Sequence, residues 1–136
     1  MTNLVSPALA ALFRRIVPLA VVLVLGPDAA WLVGSAERGR EVFVHQCALC
    51  HTIGKAEPDG FGPNLFGITQ RKAGTAPGYK YSPAFRAMAN WTWSPDGVAS
   101  FVAAPGLSIP GNRMGVFPGV SDRDMDDLLT FLETQK

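Results

Sequence analysis

The sequence predicts a small all-α domain in which a few helices are separated by long loops. Three segments carry apolar residues at the three- and four-residue spacings of amphipathic helices. No segment alternates between apolar and polar residues in the way a half-buried strand does. The 14 glycines and 11 prolines among 136 residues favour many turns and short helices. A chain of this length has room for one domain.

The beginning of the chain has the pattern of an export segment. Arg14 and Arg15 precede an apolar run at residues 16–25, and small residues at 33–36 suit a cut after Ala36. A positive region, an apolar core and a small-residue site are together typical of a secretory signal peptide.

We therefore predict residues 1–36 as a signal peptide or as an N-terminal membrane anchor, and residues 37–136 as the functional domain. An anchor would be formed by residues 16–33. Pro27 and Asp28 fit poorly in a spanning helix, which needs about 20 predominantly apolar residues. In both alternatives the domain is exported.

The predicted domain is close to electrically neutral. Residues 37–136 contain 10 basic and 10 acidic residues. This balance argues against a nucleic-acid-binding protein, which usually has a strong basic excess. A domain of about 100 residues buries only a modest core, and a bound cofactor could add to it.

The first helix is predicted at residues 36–47, with Val42 and Phe43 near one face and charged residues on the other. A shorter helix is predicted at residues 83–89. The loops at 55–81 and 105–120 are long for a domain of this size. Long loops without secondary structure of their own are usually functional.

The other two main helices have clear start patterns. Ser94 is a good N-cap, and Pro95 suits the first helical position. The last helix begins at Ser121, followed by aspartates where the helix dipole favours negative charge. Its predicted apolar stripe comprises Met125, Leu128, Leu129 and Leu132.

Both cysteines of the chain lie in the sequence Cys47-Ala48-Leu49-Cys50-His51. Cys-x-x-Cys-His is the attachment motif of c-type haem. The spacing lets each thiol add to one of two vinyl groups on the same haem edge, and the next residue, His51, supplies the proximal imidazole. We predict one covalent haem c per chain.

Other uses of a close cysteine pair fit less well. A zinc site normally needs four ligands, and His45 is a poor substitute for a second cysteine pair. A thioredoxin-like redox pair belongs in a βαβ context. A structural disulfide is possible in an exported protein, but it gives His51 no role.

The second axial ligand of the iron must come from another segment of the chain. His45 is too close to the attachment motif to cross over the haem face. Met88 lies in the predicted short helix and Met125 in the core stripe of the last helix, where packing is the expected role. Met114 lies in a loop, where nothing but a bound group explains it. We predict that His51 and Met114 bind the iron.

This ligation predicts a one-electron carrier and not an enzyme. A thioether ligand raises the reduction potential, and two filled axial positions leave no open site for a substrate. One alternative is a haem enzyme such as a peroxidase, or a gas sensor, with a displaceable distal ligand. Another is a membrane-tethered electron-transfer subunit.

Taken together, these features resemble class I cytochrome c of the mitochondrial type, close to its bacterial periplasmic members. The resemblance spans about residues 36–135. Gly39 and Phe43 match the first helix of the family, Gly-Pro-Asn-Leu at 62–65 matches its GPNL motif, and residues 110–114 match its distal loop.

The resemblance implies the class I cytochrome c fold, with three main helices and a short helix around a covalent haem. It implies that the Pro63 carbonyl accepts a hydrogen bond from His51 and so orients the ring. It also implies that Arg71, Tyr81 and Trp93 contact the haem propionates. The implied haem-binding residues are Cys47, Cys50, His51, Pro63, Arg71, Tyr81, Trp93 and Met114. Further pocket-lining side chains are expected at Ile53, Leu65, Phe66, Leu107, Ile109 and Phe117.

The resemblance has departures that bear on partners. Phe101 stands where many members have a tyrosine, Asn112 replaces a usual threonine, and Gln46 replaces a lysine of the family's docking ring. With a near-neutral domain, strong electrostatic steering is not expected. The implied setting is a periplasmic monomer that exchanges electrons with a bc-type complex and with an oxidase, reaction centre or dehydrogenase.

Overall fold

The computed structural model describes residues 34–136. The predicted anchor at 16–33, and most of the predicted export segment, lie outside the described residues. Among the described residues, no helix is both long enough and apolar enough to cross a membrane.

The described chain is helical. The elements are α1 (Ala36–Val42), α2 (Pro83–Met88), α3 (Pro95–Ala103), α4 (Pro105–Ser108) and α5 (Asp122–Thr134). Helix α1 continues as a π-helical turn over Phe43–Cys47, and a 3₁₀ turn covers Ile68–Gln70. Within residues 34–136 there is no strand, and extended pairing is limited to an isolated bridge between Lys72 and Thr92. The all-α prediction is therefore confirmed.

A serine side chain caps the start of each helix that has a regular N-cap. Its oxygen accepts the backbone N–H three residues into the helix, which satisfies one of the free donors there. The caps are Ser35 for α1, Ser82 for α2, Ser94 for α3 and Ser121 for α5. The helix starts predicted at Ser94 and Ser121 are confirmed.

Helices α1 and α5 cross at close range and form the main packing contact. Gly39 makes the approach possible, because a Cβ there would overlap the Asp127 carbonyl and lie 2.7 Å from Phe131 Cβ. One turn further along, the rings of Phe43 and Phe131 pack with centroids 5.7 Å apart. The crossing joins the start of the domain to its end.

The same crossing holds an ion pair between a buried carboxylate, Asp127, and the exposed Arg38 side chain. The Asp127 carboxylate accepts hydrogen bonds from Ser35 N–H at 2.6 Å and from Arg38 Nε and Nη2 at 2.7 and 2.9 Å. Asp127 is only 4% exposed. The bond from Arg38 lowers the pKa of the Asp127 carboxyl, and burial opposes this effect.

The core is continuous from this crossing to the middle of the molecule. Its buried apolar members include Phe43, Ile68, Phe85, Trp93, Val98, Ile109, Met125, Leu128, Phe131 and Leu132. The predicted stripe of α5 is confirmed at Met125, Leu128 and Leu132, while Leu129 is half-buried beside the core.

Two short elements lie inside the segments that the sequence predicts as loops. Helix α4 lies inside the predicted loop at 105–120, and the 3₁₀ turn lies inside the loop at 55–81. Both are of four residues or fewer. Such pieces are shorter than the two turns over which an apolar period becomes visible.

Candidate functional site

A deep cavity of about 380 Å³ opens beside the attachment motif. Its size is within the range of cofactor sites, roughly 300–1,000 Å³. The walls are mainly apolar and come from the π-helical turn after α1, from α2, α3 and α5, and from the loops between them. Lining side chains include Phe43, Leu65, Phe85, Val98, Phe101, Phe117, Leu128 and Leu132.

The attachment motif forms a tight turn at the cavity wall. The N–H groups of Cys50 and His51 both donate to the Cys47 carbonyl, at 3.0 and 2.9 Å. This turn follows the π-helical end of α1 and places both thiols and the imidazole at one cavity. Both thiols are free. Burial, together with the charge of Cys50, raises the pKa of the Cys47 thiol to about 11.

The His51 ring is held by the backbone of the 62–65 motif. Its Nδ1 lies 2.8 Å from the Pro63 carbonyl, which can only accept, so Nδ1 carries the proton and donates. In the neutral ring the lone pair is then on Nε2. A Cβ on Gly62 would lie 2.6 Å from Nδ1 and 2.8 Å from Nε2, so only glycine allows this approach. Burial lowers the pKa of His51, and the Pro63 bond opposes it.

Met114 lines the same cavity as His51. The other methionines of the described chain do not. Met88 is 46% exposed on α2, and Met125 is buried in the core of α5. His45 is exposed and lies outside the cavity lining.

The three residues expected near the haem propionates lie in different settings. Tyr81 lines the cavity, and its hydroxyl accepts the Ala76 N–H at 3.3 Å. Trp93 also lines the cavity and is 8% exposed. Arg71 does not line it. Its guanidinium donates to the carbonyls of Asn64 at 2.7 Å and Phe66 at 3.1 Å.

The residues present fit a covalently held haem. Two thiols, an imidazole and a thioether meet at one apolar cavity, and each matches a bond that c-type haem makes. Arg71 Nε is buried and has no hydrogen-bond partner among the described atoms. A buried donor without a partner in the protein can be satisfied by an acceptor from a bound group or from water.

The expected side-chain lining is partly right. Leu65 and Phe117 line the cavity. Leu107 does not, because its side chain is 86% exposed on α4. Ile109 has no exposed surface and packs in the core.

Two further aromatic side chains belong to the cavity wall. Phe61 and Tyr79 both line the cavity, and the Tyr79 hydroxyl donates to the Phe61 carbonyl at 2.8 Å. No sequence pattern marks Phe61, because its place depends on a contact between two loops. Val116, 97% exposed, also lies at the lining.

Comparison with known proteins shows the family to which the chain belongs. The model of the Cytochrome c family matches residues 36–136. Cytochrome c of Stellaria longipes is 36% identical over 100 residues, which cover 74% of this chain and 92% of the relative. Cytochrome c2 of Rhodoblastus acidophilus is 36% identical over 104 residues, which cover 76% and 94%. Cytochrome c2 of Rhodoplanes tepidamans is 41% identical over 93 residues, which cover 68% and 93%. The chain therefore belongs to the cytochrome c family, whose members carry covalently attached haem.

Proposed function

We propose that this chain is an exported one-electron carrier in which His51 and Met114 bind the iron of a haem attached through Cys47 and Cys50. Family membership makes the chain a haem-based electron carrier and not an enzyme. The observation that carries the ligand assignment is the meeting of His51 and Met114 at one cavity, beside both free thiols.

The chain's own residues supply orientation and exclude water. Pro63 holds the proton on His51 Nδ1, so that Nε2 is the nitrogen available to a metal. The haem, when bound, supplies the one-electron chemistry. The apolar walls give the bound haem surroundings of low polarity. A thioether ligand raises the reduction potential of the iron.

Arg71, Tyr81 and Trp93 are proposed to hold the haem propionates. The unpartnered Nε of Arg71 supports this. Burial lowers the pKa of Arg71, so the site would gain from an anion close by.

The test is a redox titration of the haem-loaded protein followed by its visible spectrum. We expect the oxidised protein to show the long-wavelength absorption band that reports an iron–thioether bond. Met114→Ala should remove the band and lower the potential. Met88→Ala is the matched control, because its side chain is exposed and outside the cavity. A Met114→Ala protein that keeps both band and potential would show that another residue is the ligand.

The partners are redox proteins, as for the family in general. We propose a bc-type complex as electron donor and an oxidase, reaction centre or dehydrogenase at the other end, with the chain acting as a monomer in the periplasm. The export pattern at residues 1–36 supports the compartment, either as a signal peptide or as an anchor. N-terminal sequencing of the exported protein separates these two, since a start at Glu37 excludes the anchor.

A further inference from the structure

Two asparagine side chains, Asn64 and Asn112, make the same set of three hydrogen bonds. In Asn64, Nδ2 donates to the carbonyls of Gly54 at 2.9 Å and Glu57 at 3.0 Å. Its Oδ1 accepts the N–H of Phe66, two residues further on, at 2.7 Å. One side chain thus fixes the backbone of three other residues.

Asn112 repeats this pattern in the loop that carries Met114. Its Nδ2 donates to the carbonyls of Pro105 at 2.6 Å and Ile109 at 2.7 Å. Its Oδ1 accepts the N–H of Met114, again two residues further on, at 2.6 Å. An amide side chain is needed for this arrangement, because it offers two donors and an acceptor at once.

The two asparagines lie beside the two segments that carry the axial ligands. Asn64 is next to Pro63, the hydrogen-bond partner of His51. Asn112 is two residues before Met114. The carbonyls that Asn112 binds belong to Pro105 and Ile109, both of which have less than 2% of their surface exposed. The Met114 loop is therefore fastened to the buried core through this side chain, in addition to the Asn112 backbone N–H, which donates to the Ile109 carbonyl at 3.1 Å.

Other ties of the Met114 loop are weaker or internal. The Phe117 N–H donates to the Met114 carbonyl at 3.0 Å, which shapes the loop but does not fix it to the core. Arg113 donates to the Lys80 carbonyl at 2.7 Å in an exposed position. Gly115 packs against Gly106 of α4, where a Cβ on Gly106 would lie 3.0 Å from the Gly115 carbonyl oxygen. This contact limits the distance to α4 but supplies no directional bond.

We propose that Asn112 is the positioning residue of Met114. Its three hydrogen bonds keep the Met114 backbone against α4, so that the thioether stays at the cavity and resists displacement by an outside ligand. This inference rests on the proposed ligation by His51 and Met114. It gives a physical role to a residue that replaces the family's usual threonine, whose hydroxyl has only one donor.

The test compares Asn112→Leu with two other leucine variants in the haem-loaded protein. Leucine has nearly the shape of asparagine and makes no side-chain hydrogen bonds. Imidazole, which competes for the methionine position, is titrated into each oxidised protein well below its unfolding transition. We expect N112L to bind imidazole about tenfold more tightly than the parent protein, a change of about 1.4 kcal/mol.

The two comparison variants distinguish a specific effect on the position of Met114 from a general loss of stability. Asn90→Leu makes the same chemical change at an exposed position and should leave imidazole affinity unchanged. Asn64→Leu removes the corresponding bonds beside Pro63, the partner of His51. It should change the reduction potential, and its gain in imidazole affinity should be smaller than that of N112L. Asn112→Ser keeps one donor and one acceptor and should fall between the parent protein and N112L.

A second measurement follows the hydrogen bond from the Met114 N–H to Asn112 Oδ1. Hydrogen exchange at the Met114 N–H in the reduced protein should be about tenfold faster in N112L. Parental imidazole affinity together with parental exchange in N112L would overturn the positioning role. If N112L does not take up haem, N112S gives the same two readouts and decides in the same way. Absence of the long-wavelength band from the parent protein would instead overturn the ligation by Met114, so the two failures are distinguishable.

Discussion

Replacing Gly39 by alanine tests the contact between the first and last helices. A Cβ at this position would lie 2.5 Å from the Asp127 carbonyl carbon and 2.7 Å from Phe131 Cβ. Carbon atoms in good contact are about 3.5–4.0 Å apart. Helices α1 and α5 would therefore have to separate by roughly 1 Å, which also stretches the bonds that Asp127 accepts from Ser35 and Arg38.

The change in the free energy of unfolding is the difference between two opposing effects. Overpacking of a tight core costs about 1–3 kcal/mol, and more where neighbours cannot move. Here the obstructing atoms are backbone and Cβ, which no rotamer change can remove, so the upper end applies. Alanine regains about 1 kcal/mol of helix propensity over glycine. We expect Gly39→Ala to lower the free energy of unfolding by about 2 kcal/mol.

The assay is urea unfolding of the haem-loaded protein followed by far-ultraviolet circular dichroism. A lower midpoint with an unchanged slope reports lost stability. Gly97→Ala on α3 is the control, because a Cβ there meets nothing nearer than Ser94 Oγ at 3.2 Å. It should be neutral or slightly stabilising. Equal midpoints for the two variants would refute the close crossing of α1 and α5.

Three further predictions concern stability. Because the pKa of Asp127 is lowered in the folded protein, its contribution is present above the unfolded pKa, about 3.9, and is lost as the pH falls through the folded value. Asp127→Asn should therefore flatten the pH dependence of urea unfolding below about pH 4, and an unaltered acid limb would contradict this. Ser35→Ala removes the N-cap of α1 and should cost about 1 kcal/mol, whereas a parental urea midpoint would mean that the cap contributes nothing. Cys50→Ala should leave a largely haem-free chain with reduced helix content, and a stable native-like fold without haem would refute it.

The elements that sequence predicted well are those with local determinants. Ser94 followed by Pro95 specifies the start of α3, and the spacing of Met125, Leu128 and Leu132 specifies the buried face of α5. In the same way, Cys47, Cys50 and His51 carry their chemistry in five consecutive residues. Such features depend on neighbours a few positions away, so a linear pattern contains them.

What sequence could not predict depends on contacts between distant segments. Asp127 looks like one more surface charge on a polar helix, yet it is buried because Ser35 and Arg38 approach it from the other end of the chain. Arg71 is a second case. Its guanidinium donates to the carbonyls of Asn64 and Phe66, contacts that no sequence pattern predicts, and its Nε has no partner among the described atoms. A long side chain can reach many acceptors, and the fold selects among them.

The contacts of Ser35 also bear on how the chain is processed. Its hydroxyl caps α1, its N–H donates to the buried Asp127 carboxylate, and Gly34 before it packs against Thr130. Residues 34–36 thus contribute to the folded domain. The signal-peptide pattern of residues 1–36 nevertheless predicts a cut after Ala36. Such a cut would remove the cap and one of the bonds to Asp127, for a loss of at least the 1 kcal/mol or so expected of Ser35→Ala. The stability of Ser35→Ala therefore gives a lower limit for the cost of that cut, because alanine keeps the backbone N–H that donates to Asp127. A large loss favours an exported chain that retains residues 34–36, whereas a negligible one is compatible with a start at Glu37.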